Sequence, residues 1–130
     1  MKNQEKQLAR IWSKCVGAGR AAEGLRDGWR RQLKEAVRDC GFEYIRFHGL
    51  LHDDMCVYRV IDDKEVYNFQ YIDDVFDFLL SINIRPFVEF GFMPEDIAEG
   101  KKYQFWWKGN ITPPKDMAKW ETLIKKLMER

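Results

Sequence analysis

The chain lacks any apolar run near the roughly 20 residues a membrane-spanning helix requires, so no such helix is expected. It also lacks an excess of charge: 22 Lys and Arg stand against 21 Asp and Glu. Without clustered cations to neutralise phosphates, nucleic acid is not an expected partner. Cysteine is scarce, at positions 15, 40 and 56, with no CxxC pair. Three thiols cannot all pair within one chain, so reduced, buried cysteines in a cytoplasmic protein are expected. The opening Met1-Lys2-Asn3-Gln4-Glu5-Lys6-Gln7 has no apolar core, which argues against a secretory leader. There is no low-complexity segment and no internal sequence repeat.

What remains is the composition of a folded domain, 45% hydrophobic and 33% charged over 130 residues. Nine Phe, five Trp and five Tyr make the chain rich in aromatics. Aromatic rings stack on sugars but also fill cores, and composition by itself favours the core.

Residues 1–12 read as a polar lead-in and 13–130 as the folded part. A short strand is expected at Lys14-Cys15-Val16-Gly17. Leu25, Trp29, Leu33, Val37 and Cys40 recur at helical spacing, predicting a helix over 25–40 that Gly41 caps. A strand follows at Tyr44–His48. Val57–Val60 and Val66–Phe69 flank the polar turn Asp62-Asp63-Lys64-Glu65, predicting a small hairpin. Ile72, Val75, Phe76, Leu79 and Leu80 mark a second helix, Arg85–Phe90 a third strand, and Trp120, Leu123, Ile124 and Leu127 a third helix. Between the last two lies a long Gly- and Pro-rich loop over 91–115. Strand–helix alternation of this type implies an α/β fold with parallel strands joined by crossovers. A complete TIM (β/α)8 barrel has eight such units and about 250 residues. The chain therefore reads as the first three βα units of a barrel.

Side chains alternate faces along a strand. Tyr44, Arg46 and His48 then share one face, opposite Ile45 and Phe47. Arg85, Phe87 and Glu89 oppose Pro86, Val88 and Phe90. The apolar sets suit helix packing, leaving Arg46, His48 and Glu89 toward the barrel interior near its C-terminal rim, where barrel active sites lie. A base, a carboxylate and a guanidinium in one cluster can hydrogen-bond sugar hydroxyls. For Arg46 and Arg85 an interior ion pair with Glu89 is the simpler role. His48, at a strand's C-terminal end, is the candidate ligand contact, and Glu89 is open to either role.

Phe105-Trp106-Trp107 is a second candidate, because three aromatics in a Gly- and Pro-rich loop do not form a helical core stripe. They suit a sugar-stacking wall or a loop tucked into the barrel mouth. His48, His52 and Cys56 are four apart, but Gly49 and the strand reading remove the helix that would align them, so no metal is expected. Asp53 and Asp54 read as loop-capping residues. Asn110-Ile111-Thr112 matches a glycosylation acceptor by chance. Gly17-Ala18-Gly19-Arg20-Ala21-Ala22 matches a GxGxxA turn, but a weakly apolar lead strand makes a dinucleotide-binding domain the weaker reading.

The Tyr44–Met55 segment, with the loop that follows the strand, resembles family 39 glycoside hydrolases, the β-xylosidase and α-L-iduronidase family. So do Cys15–Arg20, Tyr67–Asp73, Arg85–Pro94 and Trp107–Asp116, in the family's order and closer to its bacterial β-xylosidase branch. The resemblance implies a cofactor-free retaining hydrolase that removes terminal xylose from xylo-oligosaccharides. It further implies that His48 contacts the sugar at the cleavage subsite and that Phe105 lines the same pocket. Retaining enzymes need two carboxyl groups about 5–5.5 Å apart. The family's acid/base glutamate lies in an Asn-Glu-Pro motif after the fourth strand and its nucleophile after the seventh. No Asn-Glu-Pro occurs in these 130 residues, so no catalytic residue is assigned and the chain by itself is expected to be inactive. A non-catalytic sugar-binding or interaction module is the alternative. Open parallel strand edges also make self-association, or a complementing C-terminal half, an expected partnership.

Overall fold

Alternating burial along Tyr44–His48 organises the molecule. In the computed structural model, which describes residues 9–130, Ile45 and Phe47 are buried while Arg46 is exposed between them. This strand (β2) is the middle of a three-stranded parallel sheet with β1 (Cys15–Arg20) and β5 (Arg85–Phe87), in the order β1-β2-β5. Register pairs Tyr44 with Cys15 on one side and with Arg85 on the other. Helix α1 (Asp27–Cys40) joins β1 to β2 and α2 (Gln70–Ser81) leads into β5, with α3 (Met117–Met128) last.

Each helix is placed by its apolar stripe. Leu33 of α1, Ile72, Val75 and Leu79 of α2, and Leu123 and Leu127 of α3 are buried with Ile45 and Phe47 in one cluster. Each such side chain contributes about 1.5–3 kcal/mol when fully removed from water. Gly41 ends α1 at φ 68°, a left-handed conformation that its lack of a Cβ permits, and its N–H bonds the Val37 carbonyl at 2.8 Å. Asp116 starts α3 by accepting from the Ala118 and Lys119 amides at 3.0 and 3.2 Å.

Several expectations are corrected here. The third strand ends at Phe87, so Glu89 stands in the segment beyond it. Leu80 belongs to the helical repeat yet is exposed, because the buried face of α2 is set by Ile72, Val75 and Leu79. The hairpin strands are β3 (Tyr58–Ile61) and β4 (Lys64–Tyr67), and the turn contracts to Asp62 and Asp63, both at positive φ. Gly17 and Gly19 lie within β1 at ordinary φ, with a short 3-10 helix over Ala21–Leu25 before α1, so there is no phosphate-binding strand-to-helix turn. The cysteines are free, as expected, but Cys15 and Cys56 are exposed rather than buried.

Of the polar lead-in, residues 1–8 lie outside the described residues. Ile11–Ser13 form one 3-10 turn, and the Trp12 ring meets Phe42 edge-on at 6.5 Å. Among the described residues, no helix is long and apolar enough to cross a membrane.

Candidate active-site rim

The C-terminal ends of β1 and β2 come level at Arg20 and His48, which are register partners across a local irregularity. From the segment after β5, Glu89 reaches back to β2. Its Oε2 lies 2.9 Å from His48 Nδ1, and its Oε1 pairs with Arg46 Nε. A carboxylate accepts, so Nδ1 is the donor, and in the neutral ring Nε2 remains an acceptor for a ligand hydroxyl. The expected cluster of base, carboxylate and guanidinium is therefore present. Arg85 does not join it: it sits at the opposite end of the sheet, beside Phe42, Glu43 and Asn83.

Above this cluster lies a ledge of aromatic rings. The strands β6 (Tyr103–Gln104) and β7 (Gly109–Asn110) form a tight hairpin whose turn is Phe105-Trp106-Trp107-Lys108. Phe105 lies at φ 64° and Lys108 at φ 58°. For residues with a Cβ such backbone costs about 1–3 kcal/mol each, so surrounding packing must hold it. That packing is visible. Phe105 stacks on Trp107 at 5.2 Å and on His48 at 6.2 Å, while Phe92 meets both Phe105 and Trp107 edge-on at 6.0 and 5.1 Å. Gly109 lets the backbone approach these rings, since a Cβ there would lie 2.8 Å from Phe92 and 2.9 Å from Trp107.

The three aromatics thus divide their roles. Trp107 packs into the ledge, Phe105 is half exposed beside His48, and Trp106 projects with 86% of its surface exposed. The Arg20 guanidinium lies over both indoles, 5.1 Å from Trp107 and 5.7 Å from Trp106.

The loop after β2 ties the rim together. Asp53 pairs with Arg59 at 3.1 Å and accepts from the Glu95 amide at 3.2 Å, while burial pushes its carboxyl above the usual range. Asp54 pairs with Arg20 and lies 2.8 Å from His52 Nδ1. The Asp54 carboxylate, an acceptor for a protonated ring, raises the His52 pKa. Asp53 caps the loop amide of Glu95 as the sequence suggested, whereas the Asp54 carboxylate caps no amide among the described residues and instead ties the side chains of Arg20 and His52. His48, His52 and Cys56 do not converge, and no metal-competent cluster occurs among the described residues. Asn110 is buried, with its amide donating to Glu95 Oε1 at 3.1 Å and to the Gly100 carbonyl at 2.8 Å. It is a structural residue.

Arg20, His52 and Phe92 were not singled out as rim residues by sequence reasoning. The available signal was position: Arg20 ends β1 as His48 ends β2, and Phe92 follows the strand that delivers Glu89.

The sequence model of the family described as Glycosyl hydrolases family 39 matches residues 1–130. The chain belongs to that family. It is 50% identical over 129 residues to a β-xylosidase of Caldicellulosiruptor saccharolyticus, covering 96% of this chain and 26% of the relative. Identity to a β-xylosidase of Geobacillus stearothermophilus is 47% over 126 residues, covering 94% of this chain and 25% of that protein. A monomeric β-xylosidase from Caulobacter crescentus CB15 superposes with a TM-score of 0.88 at 36% identity, over 94% of this chain and 24% of that one. A GH39 enzyme from Xanthomonas axonopodis pv. citri gives 0.87 at 36% identity, with coverage of 94% and 24%. The chain thus spans about a quarter of the length of these relatives. Its three parallel strands and their helices are a portion of the family 39 (β/α)8 barrel, which explains why the Arg46 and Phe87 face is open in a sheet of three strands.

Proposed function

We propose that this chain is the front portion of a retaining β-xylosidase that releases terminal xylose from xylo-oligosaccharides. In this reading residues 13–130 are the barrel portion, and His48, Glu89 and Phe105 contact the sugar. The observation that carries it is the Arg46–Glu89–His48 link near the end of β2, with the Phe105 ring stacked on His48. A fixed imidazole acceptor, a carboxylate and an apolar ring together suit a sugar, whose hydroxyls need partners and whose C–H face needs an apolar neighbour. Glu89 pairs with the Arg46 guanidinium and accepts from His48, so in this reading it serves binding rather than acid/base chemistry.

The test uses the full-length protein that carries this segment, with 4-nitrophenyl β-xyloside and NMR of the released xylose. Turnover with retention of configuration is expected; absence of turnover alongside binding of xylo-oligosaccharides would favour a non-catalytic sugar-binding module instead. The 130-residue chain alone is expected to release no nitrophenol above a boiled control.

The exposed Phe87, Val88 and Phe90 along the β5 side add a second element. That edge is covered by further strands, from a complementing C-terminal portion or by self-association. Free cysteines suit a reducing compartment, so the reading includes a cytoplasmic location.

A further inference from the structure

A closed ring of contacts surrounds Trp107. Its indole stacks on Phe105 at 5.2 Å and meets the His52 ring edge-on at 5.0 Å. His52 lies 2.8 Å from Asp54, Asp54 pairs with Arg20, and Arg20 returns over Trp107 at 5.1 Å. Trp107 itself lies in the aromatic turn, so its contact with His52 crosses from the loop after β2 to the hairpin. One imidazole therefore joins the loop after β2 to the ledge that carries Phe105. We propose that His52, braced by Asp54 and Arg20, is a positioning residue that fixes the height of the Phe105 ledge over His48 and thereby sets affinity for the sugar.

Three observations carry this. First, Phe105 and Lys108 hold left-handed backbone that the turn itself disfavours, so an external restraint is required. Second, the restraint is built from partly buried groups: the His52 side chain is 13% exposed and Arg20 22%. Third, Asp54 Oδ1 is buried and lies 2.8 Å from His52 Nδ1, so the carboxylate and the imidazole hold each other in place. The same ring nitrogen accepts from the Asp54 amide at 3.3 Å, which fixes the imidazole against its own loop. Arg20 is suited to its part because a planar guanidinium can pair with a carboxylate while stacking on an indole.

The inference rests on the sugar-binding reading of Phe105 and His48, and the experiment separates the two. In the full-length protein, KM and kcat for 4-nitrophenyl β-xyloside are measured for His52→Ala, His52→Asn, Arg20→Lys and the reference Phe105→Ala. Misplacing a positioned group commonly costs up to about a hundredfold. His52→Ala is expected to raise KM at least tenfold, with kcat nearly unchanged, because the ledge binds ground state and transition state alike. His52→Asn, which can still donate to Asp54, should recover part of that loss. Arg20→Lys keeps the charge but not the stacking face and should also raise KM, so it carries the test if His52→Ala does not fold. A raised KM in Phe105→Ala with unchanged KM in the His52 and Arg20 variants would overturn the positioning role. Unchanged KM in Phe105→Ala would instead remove the sugar-binding reading of the ledge, and this inference with it.

Discussion

Glu89 Oε2 lies 2.9 Å from Nδ1 of His48, across 41 residues of sequence. This single contact links the end of β2 to the segment beyond β5 and fixes which imidazole nitrogen is free. Arg46, on the same face of β2, holds the other carboxylate oxygen. Replacing the carboxylate with an amide leaves an acceptor for Nδ1 but removes one for Arg46. Hydrogen bonds involving a charged group are worth about 1.5–3 kcal/mol. Glu89→Gln is therefore expected to weaken substrate affinity of the full-length protein about tenfold. Unchanged KM for 4-nitrophenyl β-xyloside would show that Glu89 only supports the sheet.

Much of this geometry was legible because strand parity is a strict rule. Ile45 and Phe47 had to share the buried face, so Arg46 and His48 had to share the other. Glu89 was assigned to the right face although β5 ends at Phe87, since the chain carries it back to the rim after regular pairing stops. The aromatic hairpin was less accessible. Pairing between β6 and β7 involves only Tyr103, Gln104, Gly109 and Asn110, too few residues to show a period. Likewise the ties among Arg20, His52, Asp54 and Trp107 join segments far apart in sequence, and no local pattern encodes them. Arg85 was misassigned because parity gives the face of a residue but not its height along the barrel axis.

Gly109 is the tightest steric point in the ledge, with Phe92 and Trp107 both inside the distance a Cβ tolerates. Forcing such rings apart typically costs about 1–3 kcal/mol. Gly109→Ala should lower the melting temperature and also raise KM, because the displaced rings carry Phe105. A variant that melts as wild type does would mean that the hairpin shifts freely and does not set the ledge.

His52 supplies a pH dependence whose sign follows from its partners. Asp54 and Asp53 on its own loop raise its pKa, with Arg20 on β1 holding Asp54, and Arg59 and Glu95 flanking Asp53; the Lys108 backbone faces it from the hairpin. With the folded-state pKa raised above the ordinary imidazole value of 6.5, protonation favours the fold. The contribution is complete below pH 6.5 and is lost as pH rises through the raised value. Melting temperatures of wild type and His52→Gln should thus differ most in mildly acidic buffer and converge in alkaline buffer. A difference that grows with pH would contradict the protonated His52–Asp54 pair.

Asp116 offers a test of the fold apart from the rim. Its carboxylate takes two amides at the start of α3, and α3 contributes Leu123 and Leu127 to the core. Removing an N-cap of this type costs about 0.5–2 kcal/mol. Asp116→Ala should reduce stability by that amount in denaturant melts while leaving KM unchanged, whereas Asp116→Asn should retain most of it.

Asn110 looks like a glycosylation acceptor in sequence and is a buried bracket in the structure. Its amide nitrogen donates to Glu95 and to the Gly100 carbonyl, while its oxygen accepts from the Thr112 amide at 3.0 Å. Aspartate at this position keeps the acceptor and loses both donors. It also sets a carboxylate facing Glu95, which a single buried amide now separates from unfavourable charge. Each orphaned buried group costs about 1–3 kcal/mol. Asn110→Asp is expected to destabilise the protein by several kcal/mol at neutral pH, with part of the loss recovered in acid as the new carboxyl protonates. Expression of the wild-type chain in a glycosylating host should leave Asn110 unmodified once folded, as read by intact mass. A folded, glycan-bearing product would mean that the bracket opens more readily than its hydrogen bonds imply.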